Sequence, residues 1–564
     1  MARPRATGQA NGLWLAALVA GLRRQAVDEW LNGPLHRAAI ERPRATGWAA
    51  QPRDPRPADP ALGQSIIEGA IVLAGETLEV GPGGDPFAGA SPSRAFALAL
   101  HRFAWAPALL AAGGAAEALR LALAWERGFG RWNRFAWDAE ALERRVFNLA
   151  CAGQAMAAAG RPADAARLAQ SLARQARHLL ALPASIVRGA DALAAVAVAG
   201  CALDGPAGER LRAAALPRLL AALDAAVRPD GAHVTRSPEA GLELLLDLMA
   251  LEDGLGQRGV PLPPPLAAAI ARLSGATEAL TLGDGRLPGM QGGEPSRADR
   301  VAAAARLHES APADPDAAVG GYVRMKGPGL EVIIDAAAPA EGAWSVAACG
   351  QPMAIEVLSG RDRLIASTAW SPAAQGPAAL RMAAGGSTVT LGLGHVGAPL
   401  SGGAARALGA RLVGGITRLA AARRENDAGI WLDMAHDGWR ATTGLTHERR
   451  LFIDKGAGEL RGEDRFVPSE SPRAGASLPV AIWFHLHPDV DASLARDARS
   501  VLLRGPSAIG WWLRNDAGEV HLEASVHHED GRPRRTRAVV MRGRLRTDRG
   551  GRIRWKLTLA EPPR

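Results

Sequence analysis

The feature that most constrains this sequence is a change in hydrophobic periodicity close to Gly320. From about residue 98 to 310, apolar residues recur at the spacing of amphipathic helices, in segments such as AAEALRLALAWERGFGRW and ADAARLAQSLARQARHLLAL. After Gly320 the spacing changes to alternation, in segments such as PMAIEVLSGRDRLIAST and HERRLFID. Helical and β segments that follow one another in separate blocks predict two different domains.

Each half favours a particular architecture. Most helical segments end at Gly or Pro, restart after Asp, Ser or Pro and lack heptads, which favours a toroid or solenoid of hairpins. Many short strands divided by turn signals favour a β-sandwich. We therefore predict a multidomain fold with an incomplete α/α toroid followed by a large antiparallel β-sandwich. The predicted division is an N-terminal helix and irregular Pro/Gly-rich segment packed on the toroid over 1–97, the toroid over 98–315 and the sandwich over 316–564.

The chain is strongly basic, with a formal charge of +9, and nearly all of its cations are arginines. A basic protein favours acidic partners, whether nucleic acid, an anionic polysaccharide or a membrane surface. No helix-turn-helix, zinc-finger or RNP-type motif is present, so no nucleic-acid partner is expected. A GC-rich genome would also raise the arginine content, independently of any partner.

Neither disulfides nor a membrane span are expected. Cys151, Cys201 and Cys349 are too scattered for a disulfide framework or a metal motif and are expected to fill the core. No apolar run reaches transmembrane length, so no integral membrane segment is expected. Arg3 and Arg5 before LWLAALVAG weakly suggest a signal peptide, but a cleavage site is not evident and the periodicity fits an amphipathic helix better.

One loop, PDGAHVTRSPEA at 229–240, is dense in polar residues between two helical runs. Ser237 and Pro238 suit the N-cap and the first position of the next helix, so one interpretation of the loop is a capped turn before that helix. His233 and Arg236 give it a second interpretation, because an arginine can hold a carboxylate through two parallel hydrogen bonds.

The sequence resembles the bacterial heparinase II/III family along nearly its whole length. The resemblance rests on the order and spacing of several phrases, among them LGQSIIEGAIVLAG, VRPDGAHVTRSPEAGLELLLDLMAL, MAIEVLSGRDRLIAS, HDGWRATTGLTHERRLFID and LRGEDRF. It implies a lyase that cleaves a uronic-acid-containing polysaccharide by β-elimination. That reaction needs a group to neutralise the uronate, a base for the C5 proton and an acid for the leaving oxygen.

Several residues that the resemblance implies are absent. Ala240 and Gly241 stand where the family has a Tyr-His pair, and LPASIVR at 182–188 replaces its Asn-His pair. The family's histidine cluster is replaced by AACGQ at 347–351, which also removes the zinc site that some members have. No metal and no cofactor are therefore expected, and the single tyrosine, Tyr322, is interpreted as structural.

The residues that remain supply a reduced candidate site. A histidine titrates near neutrality, which suits proton transfer. The catalytic candidates are His233, His436 and His447, and the substrate-binding candidates are Arg236, Arg188, Arg449 and Trp439. The alternatives are a β-turn for HDGW at 436–439 and a strand with an exposed basic face for THERR at 446–450.

The predicted function is β-elimination of an anionic polysaccharide or oligosaccharide. The alternative is a catalytically impaired polysaccharide-binding or envelope accessory protein of the same fold. A glycoside hydrolase with two opposed carboxylates is a third hypothesis, for which Asp138, Asp230 and Glu239 can be nominated. A polymer-degrading lyase is expected in the periplasm or cell envelope, although the cytoplasm stays possible; the oligomeric state is open.

Overall fold

The computed structural model describes residues 7–183, 187–307, 318–374, 376–469 and 475–560. The chain divides into two compact units. The first comprises Met1–Val227 and Glu243–Arg272, and the second comprises Arg228–Leu242 and Leu273–Arg564. The predicted boundary at 315/316 falls within 308–317, outside the described residues, so the division into three segments stays a prediction.

Helices dominate the first unit. Asp59, Ser93 and Asp138 cap three of them, each side chain accepting a backbone N–H bond in the first turn. The elements in chain order are α1 (Thr7–Asn32), α2 (Pro34–Ile40), α3 (Pro60–Ile67), β1 (Ala70–Leu73), β2 (Glu76–Glu79), α4 (Arg94–His101), α5 (Ala106–Ala111), α6 (Ala115–Phe129), α7 (Ala139–Ala158), α8 (Pro162–Ala181), α9 (Gly189–Ala202) and α10 (Gly205–Ala226). Residues 243–272 of α11 (Pro238–Gln257) and α12 (Pro264–Leu280) complete this unit.

The Pro/Gly-rich segment before residue 98, predicted to be irregular, contains regular structure. It holds α3 and the antiparallel hairpin of β1 and β2. The hairpin turns at Ala74 and Gly75, both at positive φ, which is the geometry of a two-residue hairpin turn. The sequence does not predict this hairpin because its strands are four residues long and Ala74 takes the turn position usually held by Asn or Asp.

Two antiparallel sheets form most of the second unit. Its elements are α13 (Ala298–Leu307), β3 (Tyr322–Gly327), β4 (Leu330–Asp335), β5 (Ile355–Ser359), β6 (Asp362–Ala366), β7 (Val389–Leu391), β8 (Ala398–Pro399), α14 (Gly402–Leu408), β9 (Leu412–Val413), β10 (Leu419–Glu425), β11 (Gly429–His436), α15 (Arg440–Thr443), β12 (Leu445–Asp454), β13 (Glu459–Pro468), β14 (Ser477–Leu486), β15 (Asp491–Leu494), β16 (Val501–Arg504), β17 (Gly510–Asn515), β18 (Glu519–Glu529), β19 (Arg532–Arg546) and β20 (Gly551–Leu559). One sheet has the order β10-β11-β12-β13-β20-β17-β16-β15, and the other β18-β19-β14-β6-β5-β4-β3, with β7 on β14.

The two sheets bury a common core, which makes this unit a sandwich. Alternate residues of β12 are buried, among them Leu445, Leu451 and Ile453, as the pleat of a half-buried strand requires. The core continues through both sheets in a cluster that includes Val332, Ile355, Leu364, Leu432, Leu460, Ile482, Phe484, Val539 and Leu557. The predicted strands are present; the edge strands β10 and β15 were not predicted because they lack the alternation of a half-buried strand.

Candidate functional site

The candidate histidines of the sandwich lie side by side on neighbouring strands. His436 ends β11 and pairs in register with His447 of β12. Their rings meet at 3.1 Å, from His436 Nε2 to His447 Nδ1. The other nitrogen of His447, Nε2, lies 2.8 Å from Oδ1 of Asp464 on β13. Inward-facing positions on three adjacent strands therefore bring His436, His447 and Asp464 into one hydrogen-bonded chain.

The groups at the two ends of this hydrogen-bonded series, the Gly438 N–H and the Asp464 carboxylate, determine which atom donates in each hydrogen bond. The backbone N–H of Gly438 donates to Nδ1 of His436 at 3.1 Å, so that nitrogen is an acceptor. The Nε2–H of His436 must then donate to His447 Nδ1, and the Nε2–H of His447 donates to the Asp464 carboxylate. Each ring is thus neutral and held in one tautomer, with both nitrogens occupied by protein groups.

Burial reinforces the neutral state of both rings. His436 and His447 are about 1% and 0% exposed. Desolvation lowers the pKa of His436 well below its ordinary value and also lowers that of His447, although Asp464 opposes the second shift. Burial alone would raise the pKa of Asp464, but the Arg449 guanidinium and His447 outweigh it and hold that pKa far below its usual range. Asp464 is therefore ionised and both histidines are uncharged at neutral pH.

Arg449 and Trp439, proposed from sequence as substrate-binding residues, lie in the same interior. The Arg449 Nε–H donates to Asp464 Oδ1 at 2.7 Å, and its Nη1–H donates to the Met353 carbonyl at 2.8 Å. The Trp439 side chain is fully buried at the start of α15. Neither side chain reaches solvent. Their role in substrate binding therefore remains a prediction, and their burial argues against it.

The THERR segment is a strand, but its basic face is only partly exposed. His447 and Arg449 are two residues apart and both point into the sandwich, while Arg450 points outward and pairs with Asp433. The alternation of β12 therefore divides the segment's charges between a buried network and a surface ion pair.

The loop at 229–240 starts a helix, as its capping residues predict. The Ala240 N–H lies 3.3 Å from Ser237 Oγ, and α11 begins at Pro238. His233 is also held within the loop, with Nδ1 2.7 Å from Thr235 Oγ1, and it is 4% exposed. The capped turn is present, whereas the proposed catalytic role of His233 remains a prediction.

The side chain of Arg236 makes more hydrogen bonds than any other in this loop. Its guanidinium donates to Asp335 and to the carbonyls of Gly320, Ala337 and Ala338, the last three at 2.7–2.9 Å. Its backbone has a φ of 66°, a left-handed conformation that costs a non-glycine residue about 1–2 kcal/mol. These bonds hold the arginine inward and leave it no free face for a uronate.

Tyr322 packs beside Arg236 and lines the same small cavity. The phenol O–H donates to the Arg236 carbonyl at 2.8 Å, and burial raises the pKa of this phenol well above its ordinary value. The cavity bordered by His233, Arg236 and Tyr322 has a volume of about 10 Å³. That is room for about one water molecule and far below the 300 Å³ or more of a small-molecule pocket.

Arg188, in the first unit, is the one candidate with substantial solvent access, its side chain being 51% exposed. Residues 184–186 of the segment that precedes it lie outside the described residues. The Arg188 Nε–H donates to Glu143 Oε2 at 3.1 Å, and Nη2 lies 3.5 Å from Asp191. Desolvation would lower the pKa of this guanidinium, but Asp191 and Glu143 outweigh it and raise the pKa. A uronate would have to displace these carboxylates to bind Arg188.

A resident zinc ion does not fit the side chains of the sandwich. Among the described residues, no group of three or more His, Cys, Asp or Glu side chains is arranged to hold a metal ion. His485, of the FHLHP segment, has Nδ1 2.7 Å from Ser525 Oγ and Nε2 2.9 Å from the Ala384 carbonyl, so neither nitrogen is available as a ligand. Cys349 is buried, and the segment 347–351 in which it lies contains no histidine.

Two partners in the sandwich network were not proposed from sequence. Asp464 accepts from His447, Arg449 and the indole N–H of Trp555, the last at 3.0 Å. The alternation of LRGEDRF could have identified Asp464, because it is in phase with the apolar Leu460 and Phe466, whereas Glu463 is not. Trp555 could have been placed inward by the same argument on RIRWKLTL.

Comparison with known proteins agrees with the architecture. Residues 309–556 match the family described as heparinase II/III-like, C-terminal. Over 543 residues, covering 94% of both chains, the sequence is 50% identical to FtsZ-localized protein C of Caulobacter vibrioides (strain NA1000 / CB15N). The chain belongs to the heparinase II/III-like family.

Solved structures confirm the fold class of this family member. A crystal structure of heparinase III is similar with a TM-score of 0.69 and 13% identity, over 97% of this chain and 91% of that one. The heparan sulfate lyase HepC of Pedobacter heparinus is similar with a TM-score of 0.54 and 13% identity, over 99% and 92% of the two chains. The predicted α/α toroid followed by an antiparallel β-sandwich is thereby confirmed, and at this identity the likeness concerns the fold alone.

The site geometry limits what the family member can do chemically. A general base needs a free lone pair within reach of a substrate proton, and an acid needs a proton that it can give up. His436 and His447 have both ring nitrogens engaged by protein groups, and the O–H of Tyr322 donates to a backbone carbonyl. His436, His447 and Tyr322 are therefore placed as hydrogen-bond partners of other protein groups, and the catalytic roles proposed for the histidines remain predictions.

Proposed function

We propose that this chain is a non-catalytic member of the heparinase II/III-like family that associates with FtsZ. The observation that carries the proposal is the 50% identity, over 94% of both chains, to a protein named for its localisation with FtsZ. The engagement of His233, His436 and His447 by protein groups supports the non-catalytic part. This is the accessory alternative from the sequence, with FtsZ in the place of a polysaccharide as partner.

Helix α1 supports an association with a membrane surface in this role. Leu15, Leu18, Val19 and Leu22 follow the spacing i, i+3, i+4, i+7 and are 44–61% exposed. Four large apolar side chains on one exposed helical stripe are typical of a helix that lies in a lipid interface. In the part of the chain that the structure describes, no helix is long and apolar enough to cross a membrane. The proposal places the chain on the membrane surface of whichever compartment contains FtsZ.

The association with FtsZ is tested with purified proteins and in cells. We expect this chain to bind the FtsZ of its own organism in biolayer interferometry, and a fluorescent fusion to coincide with FtsZ by microscopy. The absence of both would overturn the partner assignment.

The membrane part is tested by co-flotation with vesicles of phosphatidylcholine and phosphatidylglycerol. The double variant Leu18→Glu/Leu22→Glu should lose vesicle binding, because it places charges on the apolar stripe. The matched control is Ala16→Glu/Ala20→Glu, which adds two charges at the same four-residue spacing on another face of the helix and should retain vesicle binding.

Lyase activity is the second candidate, favoured by the fold shared with heparinase III. It is tested by the ultraviolet absorbance of a new unsaturated uronate, with heparan, chondroitin, alginate and gellan-type polysaccharides as substrates. We expect no signal. A signal that disappears in folded His233→Ala and His436→Ala variants would refute the non-catalytic proposal and restore the site predicted from sequence. New reducing ends without that absorbance would indicate a hydrolase.

A further inference from the structure

Three arginines of the helical unit face one open recess. Arg42 and Arg44 lie in the segment that follows α2, and Arg210 lies in the first half of α10. Together with Pro43 they line a recess of about 570 Å³. All three arginines are exposed, so their guanidinium groups are available to a ligand from solvent.

These guanidinium groups have no carboxylate partner among the described residues. Elsewhere in the same unit exposed arginines do have one, for example Arg161 beside Asp164 at 2.9 Å. Glu41, next to Arg42 in sequence, is engaged instead by Gln170 at 2.9 Å and Arg174 at 3.3 Å. The recess therefore holds three like charges without internal compensation, which favours an anionic occupant.

A fourth arginine holds the loop that shapes the recess. The Arg177 guanidinium donates to the Ile40 carbonyl at 2.7 Å and to the Pro43 carbonyl. Burial lowers the pKa of Arg177; the Glu41 carboxylate opposes this shift, and the positive charge of Arg210 adds to it. The hydrogen bonds from Arg177 thus hold the segment that carries Arg42 and Arg44, and Arg177 is close enough to Arg210 for the two charges to interact.

The recess residues Arg42 and Arg44 follow α1 and α2 along the chain, and both helices carry exposed apolar side chains. The rings of Trp30 and His36 join the two helices at a centroid distance of 4.5 Å. Trp30 of α1 is 52% exposed and Leu35 of α2 is 80% exposed. Exposed apolar side chains that are followed closely along the chain by unpaired cations suit the boundary between acyl chains and anionic headgroups.

We propose that the recess formed by Arg42, Arg44 and Arg210 binds the phosphate group of an anionic lipid headgroup. Planar guanidinium groups bind phosphate through pairs of parallel hydrogen bonds, and three of them around one recess offer more donors than one phosphate can accept. The inference rests on the proposed membrane association and names the part of the lipid that this chain would recognise. A free inorganic phosphate would use the same contacts, so the experiment has to separate the two sources.

The test compares two triple variants with the same change in net charge. Arg42→Gln/Arg44→Gln/Arg210→Gln removes the recess, and Arg94→Gln/Arg127→Gln/Arg161→Gln removes three exposed arginines elsewhere in the same unit. Co-flotation measures each full-length protein on vesicles of phosphatidylcholine alone and with phosphatidylglycerol. We expect the recess variant to lose on the order of a hundredfold in affinity for the anionic vesicles, and the control less than tenfold. Affinity for neutral vesicles should be unchanged in both.

The outcomes separate this inference from the proposed membrane association. Recess and control variants that bind anionic vesicles equally would overturn the recess, while loss of all vesicle binding only in Leu18→Glu/Leu22→Glu would still support the α1 anchor. If the unmodified chain binds no vesicle, the membrane proposal fails. A thermal shift with inorganic phosphate then follows. Stabilisation by phosphate that the recess variant lacks would reassign the site to free phosphate and overturn the lipid. An equal response of both proteins would overturn the site.

Discussion

Removing the Asp464 carboxylate is expected to destabilise the sandwich strongly. In Asp464→Asn the charge that compensates the buried Arg449 disappears, and the hydrogen bonds from His447 and Trp555 lose their ionised acceptor. Breaking a buried ion pair from one side costs about 3–5 kcal/mol, because the other charge is left buried and uncompensated. We therefore expect the free energy of unfolding to fall by about that amount.

Asp433→Asn is the matched control on the same sheet. Asp433 also accepts from two arginines, Arg424 and Arg450, but its side chain and theirs are solvent-exposed to 30% or more. Surface ion pairs contribute about 0–1 kcal/mol, so this variant should unfold almost like the unmodified chain.

Urea unfolding of all three proteins, followed by tryptophan fluorescence, makes the comparison. A loss below about 1 kcal/mol in Asp464→Asn, or equal losses in the two variants, would refute the idea that this network supports the sandwich. Retained folding with new lyase activity in Asp464→Asn would also contradict the structural role of the two histidines.

Three further predictions concern the same unit. Burial lowers the pKa of His485 to about 4, so below about pH 6.5 the unfolded chain binds a proton that the folded chain does not. The free energy of unfolding should therefore fall as the pH is lowered from 6.5 to about 4. In urea titrations, His485→Gln should flatten that slope by up to ~1.4 kcal/mol per pH unit. Tyr322→Phe removes the hydrogen bond to the Arg236 carbonyl and should cost about 1 kcal/mol in the same assay; no change would contradict its structural role. Gly462→Ala places a Cβ 2.1 Å from the Trp555 ring and should lower the melting temperature by overpacking. In the control Gly518→Ala the nearest atom to the new Cβ is 3.4 Å away, so the melting temperature should change little. Equal melting temperatures of the two variants would refute the packing argument.

Periodicity was sufficient to predict the fold class but not the environment of the site. Alternation predicted β11, β12 and β13 because alternate residues of each strand are buried and most of the residues between them are only partly buried or exposed. The same alternation places His447 and Arg449 on the inward face, but a polar residue at an inward position is as compatible with a cleft as with a core. Deciding between them requires the second sheet, whose residues come from distant parts of the chain. The recess of Arg42, Arg44 and Arg210 likewise joins positions that are more than 160 residues apart, which no local pattern indicates.

The phrases that carry the family resemblance also have a structural explanation. HDGW, THERR and GED contribute His436, His447, Arg449 and Asp464, and these side chains bond to one another inside the sandwich. A buried ion pair needs all of its partners together, since the loss of one leaves a costly charge behind. Such residues suit any protein that uses this sandwich, whether or not it is an enzyme. Resemblance at these positions therefore supports the shared fold, and activity has to be judged at solvent-accessible groups, of which only Arg188 was among the candidates.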